Sequence, residues 1–334
     1  MKYLFTTVQG LEDIVIEELA ERFRGVRAEA AYMSGRVIAE VPAKAGELLA
    51  LRSIERFGVF VASGRFSALS DVIEGVRGKM EDILAHASGA TSIGISTERV
   101  GSHHFKSRDV ETAVGQLFKD AGFVISLVDP DIELNVDVVY DTYYVWITAR
   151  RETLRDRPYR VYRHHASLNP IVAYAMARLA RLKDGETVCD LTCGGGTICI
   201  EAALHRGVRC ICVDAGLKHL AGSAKNAEAA GVGGSVDLLL FDSTKLDRLL
   251  RPICDAFIFN PPFGVRMPGD IAKLYKGLNR AMRALARGGA RAVVVTPRWR
   301  SFLRHFGGEV LERRIIYQGG IYSSIIVGIL QVRG

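Results

Sequence analysis

Apolar positions recur every three or four residues over Leu11 to Phe23 and again over Val110 to Ala121, which predicts an amphipathic helix at each place. Elsewhere in the first half the period drops to two. Glu133 to Tyr140 and Tyr143 to Thr148 alternate apolar with polar or aromatic residues, and predict two strands joined in a hairpin across Asp141-Thr142. Helices mixed with such strands predict α+β packing, with the helices on one side of an antiparallel sheet. Near residue 150 the texture changes. From Thr187 onward come unbroken apolar runs, ETVCDL, VRCICVD, VDLLLFD, DAFIFN and RAVVVTP, each followed by a turn and a helical stretch. Strands that are apolar on both faces belong to a parallel sheet covered by helices on both sides, so the second half predicts a doubly wound α/β domain.

A chain of 334 residues is long for one core, which sets the expectation at two domains or three. Although 49% of the residues are apolar, no run approaches the ~18–20 needed to cross a bilayer, and the first residues lack a signal peptide's layout. The expectation is a cytoplasmic protein that touches no membrane, with a monomer favoured. A formal charge of +7 fits either a polyanionic partner or a merely basic surface. Six cysteines, at 189, 193, 199, 210, 212 and 254, show no paired C-x-x-C spacing, so no zinc or other metal site is expected. They read as small buried apolar side chains in a reducing compartment. Residues 150–165, RRETLRDRPYRVYRHH, hold six arginines. They read either as a solvated linker or as a strap whose Arg157, Arg160 and Arg163 contact phosphates.

Chemistry concentrates at the strand ends. In VCDLTCGGGT, residues 188–197, a strand runs into three glycines and a helix start, where backbone can approach a ligand and free N–H groups face an anion. By itself that fits a nucleotide, a dinucleotide or a tight turn, and G-x-G-x-x-G is absent. Asp214 ends the next strand, where a ribose diol would reach, and Asp242 ends the third. Either acid alone could equally cap a helix. Taken together, Asp190, Thr192, Cys193, Gly194, Gly195, Gly196, Thr197, Asp214, Ala215, Asp242 and Ser243 suit an adenosyl ligand with a methionine tail, S-adenosyl-L-methionine.

The fourth strand ends in FNPPFG, with Asn260 at the edge where open α/β sheets bind ligands. Asn-Pro is also a strong turn dipeptide. An exocyclic purine amine is a poor nucleophile because its lone pair is delocalised, so a catalyst must aim that pair. The Asn260 side-chain oxygen and the Pro261 carbonyl, stiffened by Pro262, supply two acceptors for the amine hydrogens. Phe263 supplies a face for the base, and Gly264 leaves it room. In the first half, His104, Phe105 and Lys106 lie between a strand and a helix and offer stacking and cationic contacts to RNA. Arg298-Trp299-Arg300 reads either as an RNA contact or as a half-buried Trp flanked by arginines.

DLTCGGGT, Asp214, Phe241-Asp242 and NPPFG resemble the amino-methyltransferases that act on N2 of guanine or N6 of adenine. Residues 157–180 are similar to the pre-cofactor region of THUMP-containing RNA methyltransferases, and residues 95–118 to the THUMP domain itself. The whole chain resembles the archaeal and bacterial tRNA guanine-N2 methyltransferases of the acceptor stem. That resemblance implies a ferredoxin-like domain over 1–64, a THUMP RNA-binding domain over 65–150, an Arg-rich linker over 151–166 and a Rossmann-like methyltransferase sheet over 167–334. It adds Ser167, Leu168 and Pro170 to the cofactor's surroundings, and Asn260 to its contacts. It implies tRNA as substrate and N2-methylguanosine at position 6 as product. Alternatives are the same chemistry at guanine 10 or in ribosomal RNA, or a tRNA-binding protein with an inactive catalytic domain. The chain departs from the family in carrying Gly194-Gly195-Gly196 for G-S-G, and Asp214-Ala-Gly around the second-strand acid.

Overall fold

The computed structural model describes residues 1–149, 152–163, 167–248, 251–263 and 270–331, and the chain folds into two compact units, Met1–Leu154 and Arg155–Gly334. The strands of the first unit are β1 (Lys2–Thr6), β2 (Arg27–Ala30), β3 (Arg36–Glu40), β4 (Arg56–Arg65), β5 (Ser92–Ser96), β6 (Arg99–Val100), β7 (Val124–Ile125), β8 (Ile132–Val139) and β9 (Thr142–Thr148). They form one sheet ordered β2-β3-β1-β4-β9-β8-β5-β7, with β6 beside β8. Its helices are α1 (Glu12–Arg22), α2 (Ala45–Leu48), α3 (Leu69–Arg77), α4 (Met80–His86) and α5 (Ser107–Asp120).

Both helices read from the three-to-four-residue period are present. In α5 the buried Val110, Val114 and Phe118 stand four apart, on one stripe that packs against Leu134, Val136 and Val145 of the sheet. The hairpin between β8 and β9 also forms, but it turns at Tyr140-Asp141, one residue before the expected place. The boundary expected at 64/65 falls at the end of β4, which is hydrogen-bonded to β1 on one side and to β9 on the other. One continuous sheet therefore runs through both expected N-terminal domains. A buried ion pair spans them as well. Arg36 on β3 reaches Asp137 on β8 at 2.7 Å with both side chains at most 3% exposed, the Trp146 indole donates to the same carboxylate at 3.1 Å, and Glu98 takes the other end of the guanidinium.

In the second unit, α6 (Pro170–Leu179) opens with Asn169, whose side chain accepts from the Ile171 N–H at 2.9 Å. Then follow β10 (Thr187–Asp190), α7 (Thr197–His205), β11 (Arg209–Asp214), α8 (Leu217–Ala229), β12 (Val236–Leu240), β13 (Cys254–Phe259), α9 (Ile271–Leu285), β14 (Ala286–Thr296), α10 (Trp299–Leu303), β15 (Gly308–Gln318) and β16 (Ile321–Leu330). The sheet runs β12-β11-β10-β13-β14-β16-β15, parallel through β14, and closes with the antiparallel pair β16 and β15. Each of the five apolar runs has become a parallel strand. The order grows to one side from β10 and to the other from β13, and the gap between those directions is where open α/β sheets receive ligands.

The cysteine reading needs a correction. Cys199, Cys210, Cys212 and Cys193 are free and buried, but Cys189 and Cys254 form a disulfide with their Cα atoms 5.9 Å apart. They sit on the neighbouring strands β10 and β13, separated by 65 residues, so nothing local in the sequence marks the pair. The thiols therefore no longer argue for a reducing compartment. Among the described residues no helix is long and apolar enough to cross a membrane.

Candidate active site

The loops after β10 to β14 surround a cavity of about 980 Å³. Asp190 ends β10. Its Oδ1 accepts the Thr192 N–H at 2.9 Å, whereas Oδ2 is buried and has no hydrogen-bond partner among the described residues. Burial pushes its pKa well above the ordinary carboxylate range, with Cys212 and Asp214 acting in the same direction. A buried acid with one free oxygen on a cavity wall is suited to a cationic amine.

The chain then turns through three glycines. Gly196 has φ of 77°, and a Cβ there would lie 2.2 Å from the Ser223 hydroxyl, so the turn into α7 requires glycine. The Gly195 carbonyl accepts from the Asn226 amide at 2.9 Å. The same amide brackets Tyr162, accepting from its N–H at 2.7 Å and donating to its carbonyl at 2.9 Å. Asp214, at the end of β11, accepts the Gly194 N–H at 2.9 Å on one oxygen and the Gly216 N–H at 2.8 Å on the other. It thus fixes the spacing of two loops and keeps lone pairs for a diol. Asp242 caps the turn that follows it, accepting from the Thr244 N–H at 3.0 Å and hydroxyl at 2.7 Å, and the Thr244 hydroxyl chiefly holds its pKa down. The helix-cap alternative therefore holds for Asp242, which nonetheless lines the cavity.

Asn260 follows β13, the strand next to β10; it is half-buried, and its side-chain amide is without a protein hydrogen bond among the described residues. Its backbone carbonyl accepts from the Thr192 hydroxyl at 3.2 Å, which ties the glycine-loop segment to the Asn-Pro-Pro-Phe segment. Arg298 braces that segment from the far side, donating to the Phe263 carbonyl at 3.0 Å. Gly264 lies outside the described residues.

Ser167, Leu168, Asp190, Thr192, Cys193, Gly194, Gly195, Thr197, Asp214, Ala215, Asp242, Ser243 and Asn260 all line this one cavity, as do Pro261, Pro262 and Phe263. Gly196 stands one step behind, as the N-cap of α7. The expected RNA contacts divide. His104 and Lys106 are exposed, and Arg163 is exposed on the segment before α6. Phe105 is instead half-buried, stacked on His103 at 5.5 Å between ring centroids and packed on the core of its unit. Arg157 is withdrawn from any phosphate role: it is buried and paired with the buried Glu201 of α7 at 3.2 Å, beside Tyr159, whose hydroxyl donates to Glu201 at 2.7 Å. Arg160 is half-buried. Trp299 lies between Arg300 and Arg313, 4.4 and 4.3 Å from its ring, so the packed-tryptophan alternative describes it. Among the described residues no group of three or more His, Cys, Asp or Glu is placed to hold a metal ion.

Sequence reasoning missed Asn226, the bracing role of Arg298 and a whole wall made by β15 and β16, from which Ile316, Gln318, Ile321 and Ser323 face the cavity. A signal for that wall exists in Gly319-Gly320 between two apolar runs, a strong hairpin mark.

Comparison with known proteins gives the same division of the chain. Residues 157–324 match the family model of the RMKL-like methyltransferase domain, and residues 71–148 match that of the THUMP domain. The chain is 30% identical to a tRNA (guanine(6)-N2)-methyltransferase of Thermus thermophilus, over 96% of this chain and 97% of that one. It is 28% identical to the protein of the same name from Archaeoglobus fulgidus, over 98% and 92% of the two chains. The crystal structure of TrmN from Thermus thermophilus superposes with a TM-score of 0.81, at 29% identity, covering 99% of this chain and 100% of that one.

Proposed function

We propose, for a chain that belongs to the RMKL-like methyltransferase family and also matches the THUMP domain, that it transfers a methyl group from S-adenosyl-L-methionine to N2 of a guanosine in tRNA, at position 6 of the acceptor stem. The observation that carries the reading is a single cavity lined by two groups unpaired among the described residues, the buried Asp190 Oδ2 and the Asn260 side-chain amide. Asp190 suits the donor's ammonium, and Asp214 its ribose hydroxyls. The Gly194 to Gly196 turn leaves backbone room for its tail. When bound, the donor supplies a methyl carbon made electrophilic by the attached sulfonium.

The chain's own contribution is aim. The Asn260 side-chain oxygen and the Pro261 carbonyl each accept one hydrogen of the guanine amine. That arrangement turns the nitrogen lone pair out of conjugation and toward the methyl carbon. Phe263 lies against the base and holds its plane. No base of shifted pKa is required: as the N–C bond forms and the S–C bond breaks with its electron pair left on sulfur, positive charge develops on the amine, the two carbonyl oxygens stabilise it, and the acidified proton then passes to water. His104, Lys106 and Arg163 remain the proposed RNA contacts, together with Arg160. The domain divisions at 64/65, 150/151 and 166/167 are retained as proposed functional segments.

Incubating unmodified tRNA transcript with the enzyme and donor, then mapping methylated nucleosides by mass spectrometry, tests the reading. The expected product is N2-methylguanosine at position 6. Methylation of adenosine only, or no transfer with intact donor binding, would refute it.

A further inference from the structure

β15 and β16 pair antiparallel from Gly308↔Leu330 to Gln318↔Ile321, and β16 pairs β14 with Thr296 opposite Ser324. Thr296 is the last residue of β14, so everything from Ile321 to Ser323, and the segment opposite, projects past the carboxyl edge of the parallel strands. The two-residue turn is Gly319-Gly320, both at positive φ, 58° and 81°. That turn fixes the register. Strand alternation then sends Ile316 and Gln318, with Ile321 and Ser323 opposite, to the cavity, and leaves Tyr317 and Tyr322 in tilted ring contact on the other face.

β16 is adjacent to β14, which neighbours β13, so this wall stands beyond the Asn260 segment and away from Asp214 and Asp242 at the opposite end of the sheet. It borders the target, not the donor. None of Ile316, Ile321 and Ser323 can pair two positions of a base edge at once: the isoleucines have no polar side-chain atom and the serine has a single hydroxyl. The exception is Gln318, half-exposed, with its side-chain amide unpaired among the described residues.

Resting on the proposed reaction, we infer that Gln318 is a specificity-determining residue that reads the edge of the guanine next to the reacting amine. With N2 held at Asn260, the neighbouring groups along that edge are N1–H, a donor, and O6, an acceptor. A carboxamide matches them in order, Oε1 accepting from N1–H and Nε2 donating to O6. Purines that keep the 2-amine but lack those partners leave the amide unsatisfied.

The test uses full-length enzyme and two tRNAs, one with guanine and one with 2-aminopurine at the nucleotide the wild type methylates. Wild type is expected to favour guanine in kcat/KM by about 10- to 100-fold. Gln318→Ala is expected to lose a similar factor on guanine, little on 2-aminopurine, and so to discriminate hardly at all. Gln318→Glu, which accepts from N1–H but cannot donate to O6, should fall between. Donor Kd should stay unchanged in both variants, which a misfolded sheet would not allow, and retained turnover of the 2-aminopurine tRNA excludes a collapsed hairpin. Wild-type discrimination retained in Gln318→Ala, with methyl transfer intact, would overturn the Gln318 assignment alone. Failure of the wild type to methylate the guanine tRNA would overturn the reaction, and this role with it.

Discussion

Two buried aspartates divide the molecule. Asp137, on β8, is closed: the Arg36 Nε and the Trp146 indole both donate to it. Asp190, on β10, is open: burial has stripped one oxygen of water and the protein has given it nothing in return. Around the first unit's aspartate each polar group faces another, and the result is a sheet whose distant strands stay in register. Around the second unit's cavity Asp214 and Asp242 are tied into turns, but Asp190 Oδ2 and the Asn260 and Gln318 amides have no hydrogen-bond partner among the described residues. Satisfied buried polarity ties distant strands together, whereas an unsatisfied buried oxygen points to a ligand where, as at Asp190, it lies on a cavity; Gln9 Oε1 and Thr97 Oγ1 are unsatisfied too among the described residues, but do not line this one.

The comparison breaks most visibly if Asp137 is removed. Asp137→Ala strips the buried Arg36 of its buried counter-charge, leaving only the exposed Glu98, and is expected to cost about 3 kcal/mol in denaturant unfolding. If it costs less than 1 kcal/mol, the pair is not the closed unit described. Asn260→Ala should do the reverse, lowering kcat by about 10²- to 10³-fold while stability and donor affinity hold, as read by single-turnover transfer, thermal melts and calorimetry. A variant that turns over normally removes the acceptor role.

Asp190→Asn should weaken donor binding by about 10- to 100-fold, since a charge-assisted hydrogen bond to the ammonium is lost. The sign of the pH effect sharpens this. Burial raises the Asp190 pKa in the free protein, so wild-type donor affinity should climb with pH as the carboxylate ionises, above the ordinary carboxylate range. In Asp190→Asn that slope should vanish. The smallest effect is at Asp131, an exposed carboxylate that accepts the Thr91 and Ser92 N–H groups and is held down to about 2 by them. A depressed pKa adds stability above the unfolded value near 3.8 and loses it as pH falls toward 2. Asp131→Asn should therefore flatten the acid limb of the stability curve slightly and leave transfer at neutral pH alone.

Much of this was legible beforehand because its signals are local. Period and composition located α1, α5 and the parallel strands, and the strand-end residues Asp190, Asp214 and Asn260 followed from knowing which edge of such a sheet binds ligands. What escaped depends on partners far along the chain. Arg157 looks like any arginine in a basic run until Glu201, 44 residues later, meets it in the interior. Cys189 and Cys254 carry no spacing motif, and Asn226 sits mid-helix as an ordinary polar residue whose brackets on Tyr162 and Gly195 exist only once α8 has docked. The β15–β16 wall was written in Gly319-Gly320, but its importance comes from standing next to β14.

The sulfur bridge between β10 and β13 carries one more implication. It staples the strand that delivers the acid at 190 to the strand that delivers the amide at 260. A protease that nicked any loop between residues 190 and 254 would leave two fragments still fastened together beside the reaction centre. Such a clipped enzyme should migrate as one species until a thiol reagent is added, and only then separate.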